Sequence, residues 1–232
     1  MHDKRGDTCC EAPGCAATGV GARARRRHAA GEDPVKRAQI LKGAMKEFME
    51  KGFDAASMNE ICRAAGVSKG TIYVYFADKV ELFEALIAEE RERMFVGLEA
   101  LLEGDLPLRE KLICFGRRAA EILCSDQVIR AQRIIAAIVD RMPEMGTRFY
   151  ESGAARTHKA LTALFEREIA AGRLDMPDPR LAGFQFIELA GAGLWRARLF
   201  GKLGTPPSPD EIDHSVLSAV EMFLRAYSAE PA

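Results

Sequence analysis

No stretch of the 232 residues approaches the ~18 uninterrupted apolar positions of a membrane-spanning helix, and MHDKRGDTCCEAPGCAATGVGARARRR at the start has charge but no secretory apolar core. Neither a span nor an export signal is expected. The six cysteines, Cys9, Cys10, Cys15, Cys62, Cys114 and Cys124, contain no CxxC pair. In a chain of this length they read as reduced thiols of a cytoplasmic protein. Charge of one sign is also lacking: 33 basic residues face 34 acidic ones, so any surface for nucleic acid must be local. The four histidines, His2, His28, His158 and His214, are scattered, and GxSxG, HExxH, P-loop and GxGxxG patterns are missing. Catalysis, a metal and a cofactor are therefore not expected.

At 48% hydrophobic and 29% charged residues, the chain has the balance of an ordinary globular protein, with material for roughly one and a half domains. Residues 1–33 show no apolar period and are expected to form a disordered extension ahead of Pro34. Leu41, Ala44, Met45 and Phe48 then fall at i, i+3, i+4 and i+7, predicting a helix of about 17 residues that stops at Gly52. Ser57 and Glu60 form a capping box for a short second helix. Gly66 closes that helix, Ser68 caps a third carrying KGTIYVYF, and Asp78 caps a fourth that runs towards Gly104. Pro107, Ser125-Asp126, Pro143, Gly172 and two Pro-rich breaks at 175–179 and 204–210 punctuate the rest. No strand pair competes, so the fold is read as all-α with about nine helices.

The last two helices, of about 20 residues each, carry a heptad pattern. Gly183, Ile187, Ala190, Leu194, Ala197 and Gly201 recur at steps of four and three, as do Ile212, Val216, Ala219, Phe223 and Ala226. Such a seam buries itself against another helix. The expectation is a dimer interface built as a four-helix bundle from two copies of the pair, with packing inside one chain as the alternative.

Helix, tight glycine turn and capped short helix is a helix-turn-helix, whose second helix enters a major groove. At 100° per residue, Ile72 and Phe76 face inward while Gly70, Thr71, Tyr73 and Val74 project elsewhere. Lys69 and Thr71 can donate to phosphates or base edges, Tyr73 and Tyr75 can reach phosphate oxygens or thymine methyls, and Gly70 permits close backbone approach. Lys79 can add a phosphate contact. Residues 34–80 hold eight basic and five acidic side chains, a local net charge of +3.

The stretch 40–87, and most specifically GVSKGTIYVYFADKVEL at 66–82, resembles the DNA-binding domain of the TetR family of bacterial transcriptional regulators. The resemblance implies a DNA-binding domain at 34–80 and an effector-binding, dimerising domain at 81–228. Carried over residue by residue, it implies that Ser57 caps its helix and touches a phosphate and that Asn59 points towards the groove. Ser68, Lys69, Gly70, Thr71, Tyr73 and Tyr75 would form the recognition surface, with Lys79 on the backbone. The implied partners are a palindromic operator in double-stranded DNA, a second copy of the chain and a small-molecule effector, with repression as the default direction. Phe115, Phe149, Phe165, Phe186 and Trp195 are candidates for an effector pocket, alongside a plain core role. Arg117, Arg118, Arg130 and Arg133 could hold an anionic effector or form a solvated face. The alternatives are a dimeric helical scaffold and a redox-responsive regulator without a small-molecule ligand.

Overall fold

Capping chemistry sets the boundaries of the N-terminal helices. The structure is a computed structural model describing residues 31–95 and 97–229; the Cys9, Cys10 and Cys15 cluster, His2, His28 and the arginine run at 22–27 lie outside the described residues. Asp33 accepts from the Val35 and Lys36 backbone N–H groups, and Pro34 opens α1 (Pro34–Ala55), where its missing N–H is not needed. Gly52 breaks the helical conformation inside α1 at φ 79°, as its sequence position predicts. The reciprocal Ser57–Glu60 box starts α2 (Met58–Ala65), and left-handed Gly66 ends it. Ser68 accepts from the Thr71 N–H to start α3 (Lys69–Tyr75), and Asp78 accepts from Glu81 N at 2.9 Å ahead of α4 (Lys79–Phe95).

A 3-10 turn (Glu99–Leu102) leads to α5 (Leu108–Cys124), α6 (Asp126–Ile138), α7 (Pro143–Ala170), α8 (Pro179–Ala190), α9 (Trp195–Leu199) and α10 (Pro209–Tyr227). The described residues thus form ten α-helices, with one isolated bridge between Leu174 and Ser228, so the all-α reading holds. None of these helices is long and apolar enough to cross a membrane.

Two hydrophobic cores result. One joins Ile40, Phe48, Ile61, Ile72 and Phe76 of the first three helices to Leu82, Phe83 and Leu86 of α4, and is closed by Ile135, Ile138 and Met145 from α6 and α7. The other gathers Phe115, Phe165, Phe186 and Phe223. Glycine sets the closest crossings: a Cβ on Gly43 would lie 2.6 Å from both the Ala65 backbone nitrogen and its Cβ, where α1 crosses α2.

The heptad expectation needs correction on two counts. The helix read across 180–203 is interrupted after Ala190, and Gly193 takes φ +75°; the Ala-Gly-Ala-Gly run at 190–193 combines two poor helix formers. More consequentially, Gly183, Ala190, Ile212, Val216, Ala219 and Phe223 are buried inside the chain itself, while Ile187, Leu194 and Ala197 are half-buried. Gly116 explains why: its bare Cα admits Val216, whose Cγ1 would stand 2.9 Å from an added Cβ, drawing α10 onto α5. These buried positions pack within the chain, while Ile187, Leu194 and Ala197 stay partly open. The exposed apolar side chains on α8 and α10 are Leu181, Leu217 and Met222.

Gly43→Ala is expected to destabilise the protein by about 1–3 kcal/mol, because backbone as well as side chain must shift. Urea denaturation checks this; an unchanged midpoint would contradict the close crossing.

Candidate nucleic-acid interface

Ile72 of α3 and Phe76 at its end anchor the inward side, which turns Tyr73 and Val74 outward. Ile72 is 0% exposed and Tyr73 45%. Ser68, Lys69, Gly70 and Val74 are exposed with it, while Thr71 is half-buried and its hydroxyl lies 2.8 Å from that of Ser68. Tyr75 is drawn partly into the core. A Cβ on Gly70 would meet only the Ser68 hydroxyl, at 3.9 Å, so nothing in the chain's own packing requires glycine there. The backbone beside Lys69 is thus left open to solvent. Asn59 is exposed on α2, and Ser57 is half-buried, its hydroxyl donating to Glu60 at 2.8 Å.

Lys79 departs from its expected place. Its ammonium donates to the carbonyls of Phe53, Asp54 and Ala56 at 2.8, 3.2 and 3.0 Å and sits 4.6 Å from the centre of the Phe53 ring. The break at Gly52 leaves those carbonyls near a helix end without helical partners, and three N–H groups match three acceptors. Lys79 therefore pins the start of α4 to the α1–α2 junction. A phosphate could reach it only by displacing a carbonyl.

Charge underneath this surface is organised by Lys51, which pairs with Glu47 at 2.7 Å and Glu60 at 2.9 Å. The Lys51 ammonium first, and the Ser57 hydroxyl second, hold the Glu60 carboxyl down at about 2. Arg141 ties the same corner to the α6–α7 connection through Asp54 at 2.6 Å.

Behind the interface lies a cavity of about 530 Å³ whose wall is shared between the two halves of the chain. Met45 and Met49 of α1 and Ile87, Arg91 and Met94 of α4 face it from one side; Leu123, Val128, Ile135, Phe149, Phe184 and Trp195 face it from the other. Phe149 and Trp195 thus take their expected place. Phe115, Phe165 and Phe186 do not line it: each is fully buried among its neighbours in the C-terminal core. None of Arg117, Arg118, Arg130 and Arg133 reaches the cavity; Arg117 pairs with Asp213, Arg118 with Glu121, and Arg133 donates to the carbonyls of Arg198 and Leu199.

The polar lining residues Arg91, Gln132, Thr157 and His158 were not apparent from sequence. Arg91 sits in the charged run EERER, which reads as a solvated face, and Gly153, the small residue that makes room for it, looks like any helical glycine. Burial disfavours the charged forms of both Arg91 and His158. For His158 a hydrogen bond to the Gly183 backbone works against that burial, and Arg180 adds to the lowering. Gln132 accepts from the Trp195 indole N–H at 2.9 Å, fixing the ring.

Comparison with known proteins accounts for both halves. Residues 40–86 match the model described as bacterial regulatory proteins of the tetR family, and residues 110–229 match the AefR-like transcriptional repressor C-terminal domain. The chain belongs to the TetR family. The HTH-type transcriptional regulator YhgD of Bacillus subtilis strain 168 is 25% identical over 154 residues, or 65% of this chain and 78% of YhgD. Several other curated regulators are matched over 32% to 61% of their own length. Among solved structures, a TetR-family regulator from Mesorhizobium loti MAFF303099 has a TM-score of 0.77 at 27% identity, covering 85% of this chain and 98% of that one. The flavonoid-responsive regulator FrrA has a TM-score of 0.69 at 32% identity, covering 84% and 97%. In this TetR-family regulator, α2 and α3 are the DNA-binding helix-turn-helix.

The Glu60 carboxyl is more acidic folded than unfolded, so its contribution is complete above about 4.5 and is lost as pH falls towards about 2. Acid titration followed by circular dichroism should show Glu60→Gln with a flatter stability profile over that window than the natural protein. Parallel profiles would contradict the Lys51–Glu60 link.

Proposed function

We propose that this TetR-family protein is a ligand-responsive repressor that binds a palindromic operator as a homodimer and releases it when a small molecule fills the cavity. The observation that carries the reading is the shared wall: Met45 and Met49 belong to α1, the scaffold of the helix-turn-helix, yet face the same space as Phe149, Phe184 and Trp195. A ligand there touches the DNA-binding module directly. Its effect is a population shift, favouring a geometry in which two recognition helices no longer match successive major grooves about 34–36 Å apart. The match to a repressor C-terminal domain supports the direction, and FrrA, described as flavonoid-responsive, is a similar protein named for a small molecule.

Pairing is assigned to the outer faces of α8 and α10, where Leu181, Leu217 and Met222 are exposed and a groove runs between Leu189, Gly193, His214 and Ser218. Exposed apolar side chains of this kind mark association surfaces when they adjoin. Thiol sensing finds no support at Cys124, whose buried thiol is pushed up to about 11 and is therefore a poor nucleophile.

The test is selection of DNA from a random pool, followed by titration at several salt concentrations. Lys69→Ala should weaken binding to all sequences alike and reduce the salt slope by about two units per dimer, one for each copy. Lys79→Ala should lower the melting temperature instead, with the slope largely retained. A selected pool without dyad symmetry, or a slope unmoved by Lys69→Ala, would overturn the reading.

A further inference from the structure

The cavity lining holds two basic side chains, Arg91 and His158; burial disfavours the charged form of the imidazole, whereas a guanidinium keeps its charge. Among the described residues, Arg91 is the only lysine or arginine in the lining. Its Nη2 donates to the Phe149 carbonyl at 2.7 Å, and its guanidinium lies 4.7 Å from the centre of the Phe149 ring. Gly153, within α7, makes this seat possible: an alanine Cβ there would stand 2.8 Å from Nε and 3.0 Å from Cζ. Nη1 is buried with no hydrogen-bond partner among the described residues. The two carboxylates at the cavity edge are engaged elsewhere, Glu90 with Arg93 and Glu188 with Arg196, each at 2.8 Å.

Arg91 is half-buried, and closing its Nη1 off from water without a counter-ion is costly; a carboxylate is the group whose planar geometry fits its fork. One positive charge sets the charge of the guest. A monoanion balances Arg91, whereas a phosphate dianion or a polyphosphate would leave negative charge stranded in an apolar space beside Glu90 and Glu188. At about 30 Å³ per water-sized group, the 530 Å³ hold on the order of 18 such groups, enough for a medium-length acyl chain or two fused rings. The lining of Met45, Met94, Leu123, Val128 and Trp195 suits either.

We propose that the cavity takes a mostly apolar carboxylic acid, its carboxylate paired with Arg91 and its hydrocarbon against the methionine, aliphatic and aromatic lining. This rests on the effector reading above and names the chemical class of the effector.

Calorimetric titration of the full-length protein with dodecanoate and naphthoate, against dodecanol and naphthalenemethanol, separates head group from tail. At least one acid should bind about tenfold or more tightly than its alcohol, since a hydrogen bond to a charged group is at stake. Arg91→Gln, which removes the charge and keeps a polar side chain, should reduce that acid to the level of the alcohol without weakening the alcohol. Gly153→Ala, which displaces the guanidinium, should reduce the preference in the same direction. Melting temperatures establish that both variants fold, and the acid-to-alcohol comparison on the natural protein stands without them. Equal binding of acids and alcohols, a preference that survives Arg91→Gln, or no binding by any of the four probes would overturn the inference. An alcohol that binds equally well and releases operator DNA would do so while leaving the effector reading standing. An acid that binds through Arg91 and leaves operator affinity unchanged would support the ligand class and overturn the effector reading.

Discussion

Helix α4 belongs to two environments at once, and this double membership constrains everything else in the molecule. Its first half contributes Leu82, Phe83 and Leu86 to the core that holds the helix-turn-helix; its second half contributes Ile87, Arg91 and Met94 to the cavity wall. Lys79 fixes the near end by its three carbonyl contacts. A rigid rod pinned at one end transmits a displacement at the other as a rotation. Because protein interiors are close-packed, such a rotation cannot be absorbed gradually by soft side chains. The core shared with Ile135, Ile138 and Met145 adds a second link, packing the α6–α7 corner against the module it covers.

On the proposed reading, this arrangement would give effector control a definite energetic content. Ligand and operator need only prefer different positions of α4, and a coupling of about 1–3 kcal/mol changes operator affinity about 5- to 150-fold. Charge placement fits the same logic. The cation within the cavity lacks an internal counter-ion, whereas the ion pairs around the helix-turn-helix, Lys51 with Glu60 and Arg141 with Asp54, are complete. The helix-turn-helix is tied by its own contacts, and the cavity is where an electrostatic demand is left open.

Much of the DNA-binding half was legible in the sequence because its signals are local. Ser57–Glu60, Gly66, Ser68 and Asp78 each act within three or four residues, and the structure realises every one. The alternation of Ile72 and Phe76 against Tyr73 was legible for the same reason. What failed depended on distant partners. The periodicity of Ile212, Val216, Ala219 and Phe223 announces a buried face but not what buries it, and the small Gly116, nearly a hundred positions earlier, decides that. Aromatic spacing likewise cannot separate Phe115, Phe165 and Phe186, which meet other side chains, from Phe149 and Trp195, which meet a void. Lys79 has the residue type and position of a phosphate contact, yet carbonyls released by the break at Gly52 accept its hydrogen bonds. Arg91 and Gly153 come together only through the packing of α4 against α7.

The most direct measurement of the coupling is operator affinity when the cavity is filled from within. Ala131, buried on α6 and part of the cavity wall, can be replaced by phenylalanine so that the ring occupies the space a ligand would take. Titration of Ala131→Phe against the selected operator, in a sample whose melting temperature is at or above that of the natural protein, should give an affinity lowered about 5- to 150-fold. An operator affinity equal to that of the natural protein, with the cavity demonstrably filled, would contradict a shared wall that couples sensing to DNA binding.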